Sequence, residues 1–310
     1  MSTSRQAERL THRRATRSPS RRAWRASLRV VGTVAATLLW LAPPTTHASP
    51  HVDASAWTQI GGIPGVVAHR GGSSLAPENT LAAYRAAIGR GDRAVECDVH
   101  LSADNVPVVI HDPVLERTTD GRGLVRRRSL RSLRRLDAGG WWSGAYDGEG
   151  VPTLEEVLDI AKNRAVVFLE LKQGRGLVAA VQKVIDARPD QRDQIVLISF
   201  DGRLLRKASK KLPGVPRMLL FKKHSRYGRN MIRLARRARA TMVGLDFANI
   251  RARDVRLAHK RALPVYAYTV NDLPRVATLV RMGIDGVITD RPFLASEVTA
   301  TQAREYAARP

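Results

Sequence analysis

Eight short runs of mostly apolar residues recur along the chain, at 66–69, 94–99, 166–171, 195–200, 217–221, 242–246, 264–269 and 286–289. Most are continuously apolar rather than alternating, which is the pattern of parallel strands covered on both faces. Stretches with helical periodicity separate them, near 80–90, 153–161, 175–187, 203–211, 229–239, 253–262 and 272–282. Eight strand–helix units over roughly 240 residues predict an α/β fold, a closed (β/α)8 TIM-type barrel. A doubly wound open sheet is the alternative, but no Gly-rich dinucleotide fingerprint follows any of the runs.

Local signals support the helices. Asn79 stands where an N-cap is expected for the first, and Glu155 and Glu156 sit in the first turn of 153–161, where the helix dipole favours them. One stretch breaks the rhythm. Residues 105–150 hold an extra strand at 107–111, six Arg within 126–135, and the pair Trp141-Trp142. This predicts a small insertion at the barrel mouth after strand two. Its arginines read as a solvated face, and its tryptophans as packing the insertion onto the barrel.

The ends of the chain read differently. Residues 1–29 are polar and Arg-rich, and residues 30–42 form a 13-residue apolar run. At ~1.5 Å per residue such a run makes roughly 20 Å of helix, short of a ~30 Å hydrocarbon core. Pro43, Pro44 and then Thr46-His47-Ala48 complete the order of a signal peptide over 1–48. The segment Ser20-Arg21-Arg22-Ala23-Trp24 is similar to a twin-arginine signal, with Arg25 where an apolar residue is expected. A linker (49–64), the barrel (65–298) and a short tail (299–310) follow. The expectation is an exported protein, secreted, periplasmic or associated with the cell envelope, with no stable membrane span after processing.

The formal charge is +24, of which nine Arg and one Glu in residues 1–48 account for +8, leaving +16. A basic surface attracts anions. No recognisable nucleic-acid-binding motif accompanies it and aromatics are only 5%, so no nucleic-acid partner is expected. The one cysteine, Cys97, excludes an internal disulfide and any metal site built on paired cysteines.

In a barrel of this kind functional groups sit at the carboxyl ends of the strands. Here those ends carry His69-Arg70, then Glu96 and Asp98, then His111-Asp112, then Glu170 and Lys172. Residues two apart on a strand share a face, so Glu96 and Asp98 point one way and Cys97 the other. Three carboxylates converging on one mouth repel, and a hard divalent cation, calcium or magnesium, resolves that repulsion. Arg70 and Lys172 suit a phosphate, and two histidines can take and give the protons that phosphodiester cleavage moves. Taken singly, a strand-end histidine is more often structural and an acidic pair more often solvated. Four ionisable strand ends inside apolar runs are harder to explain without a ligand.

The motifs HRGG (69–72), APENT (76–80), ECDV (96–99), VPVVIHDP (106–113) and TTDGRG (118–123) occur in that order. VPTLEEVL (151–158), LELK (169–172), ISF (198–200), YTVND (268–272) and GIDGVITDRP (283–292) continue it. In sequence and spacing the chain resembles the glycerophosphodiester phosphodiesterase family across about residues 65–292.

The resemblance implies a metal-dependent phosphodiesterase that releases glycerol 3-phosphate and an alcohol. It implies His69 and His111 as the acid–base pair and Glu96, Asp98 and Glu170 as ligands of one divalent cation, Ca2+ or Mg2+. It implies Arg70 and Lys172 as contacts to the substrate phosphate, with Phe200 and Tyr268 beside the substrate. Tyr268 stands where many members have Trp. Glu78 is read as orienting Arg70, and Asn79 as a helix cap. Expected substrates are small anionic glycerophosphodiesters, including lipid-derived or polymeric glycerol phosphates. The motifs do not divide acid from base, nor direct hydrolysis from a cyclic-phosphate route. Rival readings are a phospholipase D-like toxin or phosphoinositide-cleaving phospholipase C, a non-catalytic binding barrel, and a basic nucleic-acid binder. The full order of motifs, with no histidine or carboxylate missing, argues against them.

Overall fold

A computed structural model of the chain describes residues 65–172, 174–222 and 227–297. The expected export segment (1–48), the linker through residue 64 and the tail (299–310) lie outside the described residues.

Nine strands form one sheet: β1 Val66–Ala68, β2 Ala94–Leu101, β3 Pro107–Val109, β4 Val166–Leu171, β5 Ile195–Ser199, β6 Arg217–Phe221, β7 Met242–Asp246, β8 Val265–Tyr268 and β9 Gly286–Thr289. Eight of them run parallel in the order β1-β2-β4-β5-β6-β7-β8-β9, and β9 pairs back onto β1, closing the barrel. β3 lies antiparallel against β2 outside that ring. The helices alternate with the strands: α1 Leu81–Gly89, α2 Leu130–Leu133, α3 Leu154–Ala161, α4 Leu177–Asp186, α5 Gly202–Lys211, α6 Arg229–Ala238, α7 Ala252–His259 and α8 Leu273–Arg281. All eight expected barrel strands are present. Among the described residues no helix is long and apolar enough to cross a membrane.

The two-residue period of each strand divides the core into two layers. Outward residues such as Val95, Cys97, Val99, Leu169 and Leu171 join the helices in the larger cluster. Inward residues, among them Val67, Ala94, Phe168, Ile198, Met218, Tyr266 and Ile288, fill the barrel interior. Phe168 and Tyr266 meet there with ring centroids 5.5 Å apart. Burying side chains of this size contributes about 1.5–3 kcal/mol each. Their bulk requires small neighbours. A Cβ on Gly286 would lie 2.3 Å from the Tyr266 ring, and one on Gly244 would lie 2.4 Å from Leu220.

The insertion between β2 and α3 has a small core of its own, built from Val108, Ile110, Leu115, Val125, Leu133, Ala138 and Val151. α3 then begins with a capping box: the Thr153 hydroxyl accepts from Glu156 N–H, and the Glu156 carboxylate accepts from Thr153 N–H. A cap of this kind stabilises a helix by about 1 kcal/mol. Four arginines of the insertion, Arg126, Arg127, Arg128 and Arg131, are exposed, as a solvated face requires, and Arg134 pairs with Glu156 at 2.9 Å.

Several expectations are corrected. β1 ends at Ala68 and β3 at Val109, one and two residues short of the histidines expected to end them. Trp141 and Trp142 do not bury themselves between insertion and barrel; they are 45% and 38% exposed. Trp142 packs edge-on against Tyr146, whose hydroxyl donates to the carbonyl of Leu75, so that tyrosine ties the insertion to the loop after β1. Nor does Asn79 cap α1. Thr80 does so, its hydroxyl accepting from Ala83 N–H.

Candidate active site

The carboxyl ends of the strands carry the expected groups, and register explains why they meet. Ala94 and Val166 face the interior, so Glu96, Asp98 and Glu170 face it as well, two and four residues further along. Asp98 and Glu170 are direct partners on neighbouring strands. All three carboxylates are buried, and one oxygen from each lies within 4.8 Å of the others.

β1 ends abruptly beside them. Arg70, Gly71 and Gly72 have φ of 53°, 81° and 84°, and three successive left-handed residues turn the chain at the mouth. A Cβ on Gly71 would sit 2.9 Å from that of Ala83, so α1 can pack against this turn only if the residue is glycine. The turn brings Arg70 N–H within 2.9 Å of Glu96 Oε2, and Arg70 O accepts from Asn79 N–H. Asn79, buried, donates from Nδ2 to Asp98 Oδ2 at 2.8 Å and accepts from the buried Tyr84 hydroxyl at 2.9 Å. Its site role is to hold a carboxylate.

Arg70 and Lys172 converge on Asp98. Lys172 Nζ is 3.1 Å from Asp98 Oδ1 and 3.1 Å from Glu170 Oε1. Arg70 donates from NH1 to Glu78 at 2.8 Å, as expected for a residue that orients it. Its Nε, 3.6 Å from Asp98 Oδ2, is buried and makes no hydrogen bond.

Each histidine is held by an aspartate. His69 Nδ1 is 2.7 Å from Asp290 Oδ1, and His111 Nδ1 is 2.6 Å from Asp112 Oδ1. Asp290 also accepts from the Ser73 hydroxyl and from Asn271 Nδ2. Burial opposes its ionisation, yet the bond and charge of His69, with Ser73 and Asn271, hold it far below the usual carboxylate range. Asp112 is likewise drawn down, to about 2; burial opposes this, and the bonds from Arg117 and His111 outweigh it. An ionised carboxylate only accepts, so each neutral imidazole keeps its proton on Nδ1 and offers a lone pair at Nε2. Burial also lowers the pKa of His111, an effect that nearby Asp98 only partly offsets.

The carboxylates differ sharply. Burial disfavours the charge on Asp98, but Lys172, Arg70 and the two histidines outweigh it and keep the group ionised. Burial, Asp98 and Glu170 push Glu96 well above its usual range. Burial and Asp98 push Glu170 up to about 7, against the pull of Lys172. The protein's own cations therefore compensate Asp98 most fully, and the raised pKa values of Glu96 and Glu170 mark a site short of positive charge. Three converging hard oxygen donors with uncompensated charge fit a hard divalent cation. Thiolate and imidazole play no part in this donor set, which disfavours softer metals.

Phe200 and Tyr268 form one wall of the mouth, with centroids 5.7 Å apart in an edge-to-face pair, and the Tyr268 hydroxyl donates to Phe221 O. A cavity of about 1040 Å³ opens from the site, lined by His111, Glu170, Lys172 and Phe200 among others. Every expected site residue thus reaches the mouth of the barrel.

Three residues went unassigned in the sequence. Asp290 lies within a motif but had no role; it follows the inward Ile288 by two, and that period could have found it. Asp112 stands out in the sequence only as the neighbour of His111. Arg117 carried no signal. It donates from Nε to Asp112 at 2.6 Å and from its two terminal nitrogens to both oxygens of Glu78, at 2.8 and 2.7 Å. This joins His111, Asp112, Arg117, Glu78 and Arg70 into one network around the mouth.

The sequence profile of the glycerophosphoryl diester phosphodiesterase family matches residues 69–294. A glycerophosphodiester phosphodiesterase of Caldanaerobacter subterraneus is 32% identical over 231 residues, 73% of this chain and 94% of that one. One of Bacillus subtilis is 30% identical over 249 residues, 75% and 85% of the two chains. Among solved structures, a phosphodiesterase of Oleispira antarctica in complex with the product sn-glycerol-3-phosphate superposes with a TM-score of 0.73 at 32% identity. That match covers 77% of this chain and 97% of the other.

Proposed function

The chain belongs to the glycerophosphoryl diester phosphodiesterase family, and on that premise we propose that it hydrolyses glycerophosphodiesters to glycerol 3-phosphate and an alcohol, with His69 and His111 as its acid–base pair. The observation that carries this reading is the pairing of two aspartate-held histidines with three buried carboxylates, Arg70 and Lys172 around a single barrel mouth. The product named for the Oleispira antarctica structure is the glycerol phosphate that such a reaction releases.

Glu96, Asp98 and Glu170 would hold a divalent cation, calcium or magnesium. Bound there, the ion would neutralise charge on the phosphoryl oxygens. The remaining work falls to side chains of the chain itself. Arg70 and Lys172 donate to the phosphate and fix its position. One histidine takes the proton of the attacking oxygen at its free Nε2, while the other, protonated, gives its proton to the departing alkoxide. Asp290 and Asp112 keep both rings in the tautomer that exposes Nε2, and each carboxylate stabilises the imidazolium form. Phe200 and Tyr268 exclude water from one side and offer an apolar face to the carbon skeleton of the substrate.

The test is a panel of small glycerophosphodiesters with purified protein, in calcium, in magnesium and in chelator. Release of glycerol 3-phosphate with one of the cations is the expected result. No glycerol 3-phosphate from any member of the panel with either ion would overturn the proposal.

The reading extends to where the reaction takes place. The signal-like order of residues 1–48 supports export, with a mature chain that starts near Ser49. N-terminal sequencing of the extracytoplasmic protein should begin there. Recovery of the full-length chain in the cytosol would count against export.

A further inference from the structure

The motif TTDGRG (118–123) takes no part in the proposed reaction, yet the loop that contains it is built to hold one side chain. Residues 115–123 close on themselves. Leu115 N–H donates to Gly123 O at 3.0 Å, and Gly123 N–H donates to Glu116 Oε1 at 2.8 Å. Thr119 donates twice to Leu115 O, from its N–H at 3.1 Å and from its hydroxyl at 2.7 Å. Leu115, Thr118 and Thr119 are buried, which anchors the loop on the core of the insertion. Arg117 stands on this fixed loop, and its guanidinium uses all three nitrogens: Nε on Asp112 Oδ2, and the two terminal nitrogens on the two oxygens of Glu78. Each carboxylate also holds a residue of the reaction. Asp112 Oδ1 meets His111 Nδ1, and Glu78 Oε1 accepts from Arg70. Arg188 likewise meets two carboxylates, Glu155 and Asp159, but those lie on one helix and are 55% and 63% exposed. Pairs of that kind contribute little. Glu78 and Asp112 are 10% and 22% exposed and come from opposite sides of the mouth, after β1 and after β3.

Resting on the function proposed above, we infer that Arg117 is a positioning residue for the reaction, which fixes the His111 imidazole and the Arg70 guanidinium relative to each other. One of these groups moves a proton and the other grips the phosphate, so their separation sets how well proton and phosphorus chemistry coincide. Among the described residues no hydrogen bond joins them directly. The path between them runs through Asp112, Arg117 and Glu78 alone. The rigid fork of a guanidinium can hold both carboxylates at set angles, whereas an ammonium is a point charge without that geometry. A misplacement of about 1 Å between reacting groups costs on the order of 10²-fold in rate. The insertion is thereby part of the catalytic apparatus, although it touches no reacting atom through Arg117.

The test compares Arg117→Ala, Arg117→Lys and Arg122→Ala on one glycerophosphodiester, with calcium or magnesium supplied. Arg117→Ala should lose roughly 10- to 100-fold in kcat/KM, with kcat lowered by the loosened His111 and KM raised by the loosened Arg70. Arg117→Lys should recover little of this. Arg122→Ala, on the same loop but away from the network, should stay within about twofold of wild type, as an exposed surface change does. The side chain of Arg117 is 43% exposed, so the space left by Ala is open to a solute. Added methylguanidinium should restore activity to Arg117→Ala, and methylammonium should not. The loss in an Arg117→Ala/Glu78→Gln double variant should be close to that of the worse single variant, because the two residues act as one unit. Activity of Arg117→Ala within about twofold of wild type would overturn the proposal. So would a loss that methylguanidinium leaves untouched and that multiplies with the loss of Glu78→Gln, the behaviour of a residue that only supports the fold. Either result leaves the phosphodiesterase assignment standing. No hydrolysis by wild type of any glycerophosphodiester, with either ion, would remove both.

Discussion

Replacement of either His69 or His111 by Ala should remove a factor of about 10²–10⁴ from turnover, roughly 3–5.5 kcal/mol of barrier, because each ring moves one of the two protons that the reaction must transfer. Binding of the cation, measured by calorimetry, should survive both changes, since the ligand oxygens come from Glu96, Asp98 and Glu170. An ester with an activated nitrophenyl leaving group needs little protonation of the departing oxygen. It should restore turnover to the variant that lacks the acid and not to the variant that lacks the base, which assigns the two roles. Asp290→Asn and Asp112→Asn should cost less, because the ring remains and only its hold and its preferred tautomer are lost. Their signature would be a displaced pH profile of kcat/KM with KM little altered. Near-normal turnover in both alanine variants, or loss of cation binding in both, would show that the acid–base assignment is wrong.

The parts of this molecule that could be read from its sequence are those where a period or a short spacing carries the physics. Barrel strands buried on both faces must be apolar almost throughout, so each one announces itself, and an acid within such a run stands out. Glu96, Asp98 and Glu170 were visible for that reason, and their convergence followed once the strands were counted. Features that depend on contacts between distant segments were not visible. Arg117 bonds to Glu78, 39 residues away, from a loop that has no repeat. Asn79 has the chemistry of a helix cap, and only the approach of α1 to β2 turns it towards Asp98 instead. His69 was expected to end a strand; the left-handed run from Arg70 to Gly72 ends the strand one residue earlier and aims the imidazole at Asp290. The tryptophans of the insertion illustrate the opposite error. Large aromatic residues suggest burial, but the insertion builds its core from aliphatic residues and leaves both tryptophans partly exposed.

Exhaustive chelation should abolish turnover, and one divalent ion, calcium or magnesium, should restore it. The argument is electrostatic. Lys172 and Arg70 compensate Asp98, while Glu96 and Glu170 are left within 4.8 Å of it in a buried site, with their pKa values raised. Positive charge arriving among the three favours their ionised forms, so cation binding should release protons. Glu170 in the metal-free protein titrates near 7, and protons therefore compete with the ion more strongly as pH falls below that value; affinity should drop on the acid side. A cation at about 100 times its Kd stabilises the folded state by about 2.7 kcal/mol. For a domain of this size that amounts to a rise in Tm of about 5–11 °C. Glu170→Gln removes one ligand charge and should abolish most of this shift along with activity. The same substitution also relieves repulsion, so the metal-free variant should melt no lower than metal-free wild type. That last comparison separates a ligand from a residue that merely supports the fold, since loss of a structural group would lower Tm in both states. Full activity after chelation, with no metal detected by elemental analysis, would falsify the assignment of the three carboxylates.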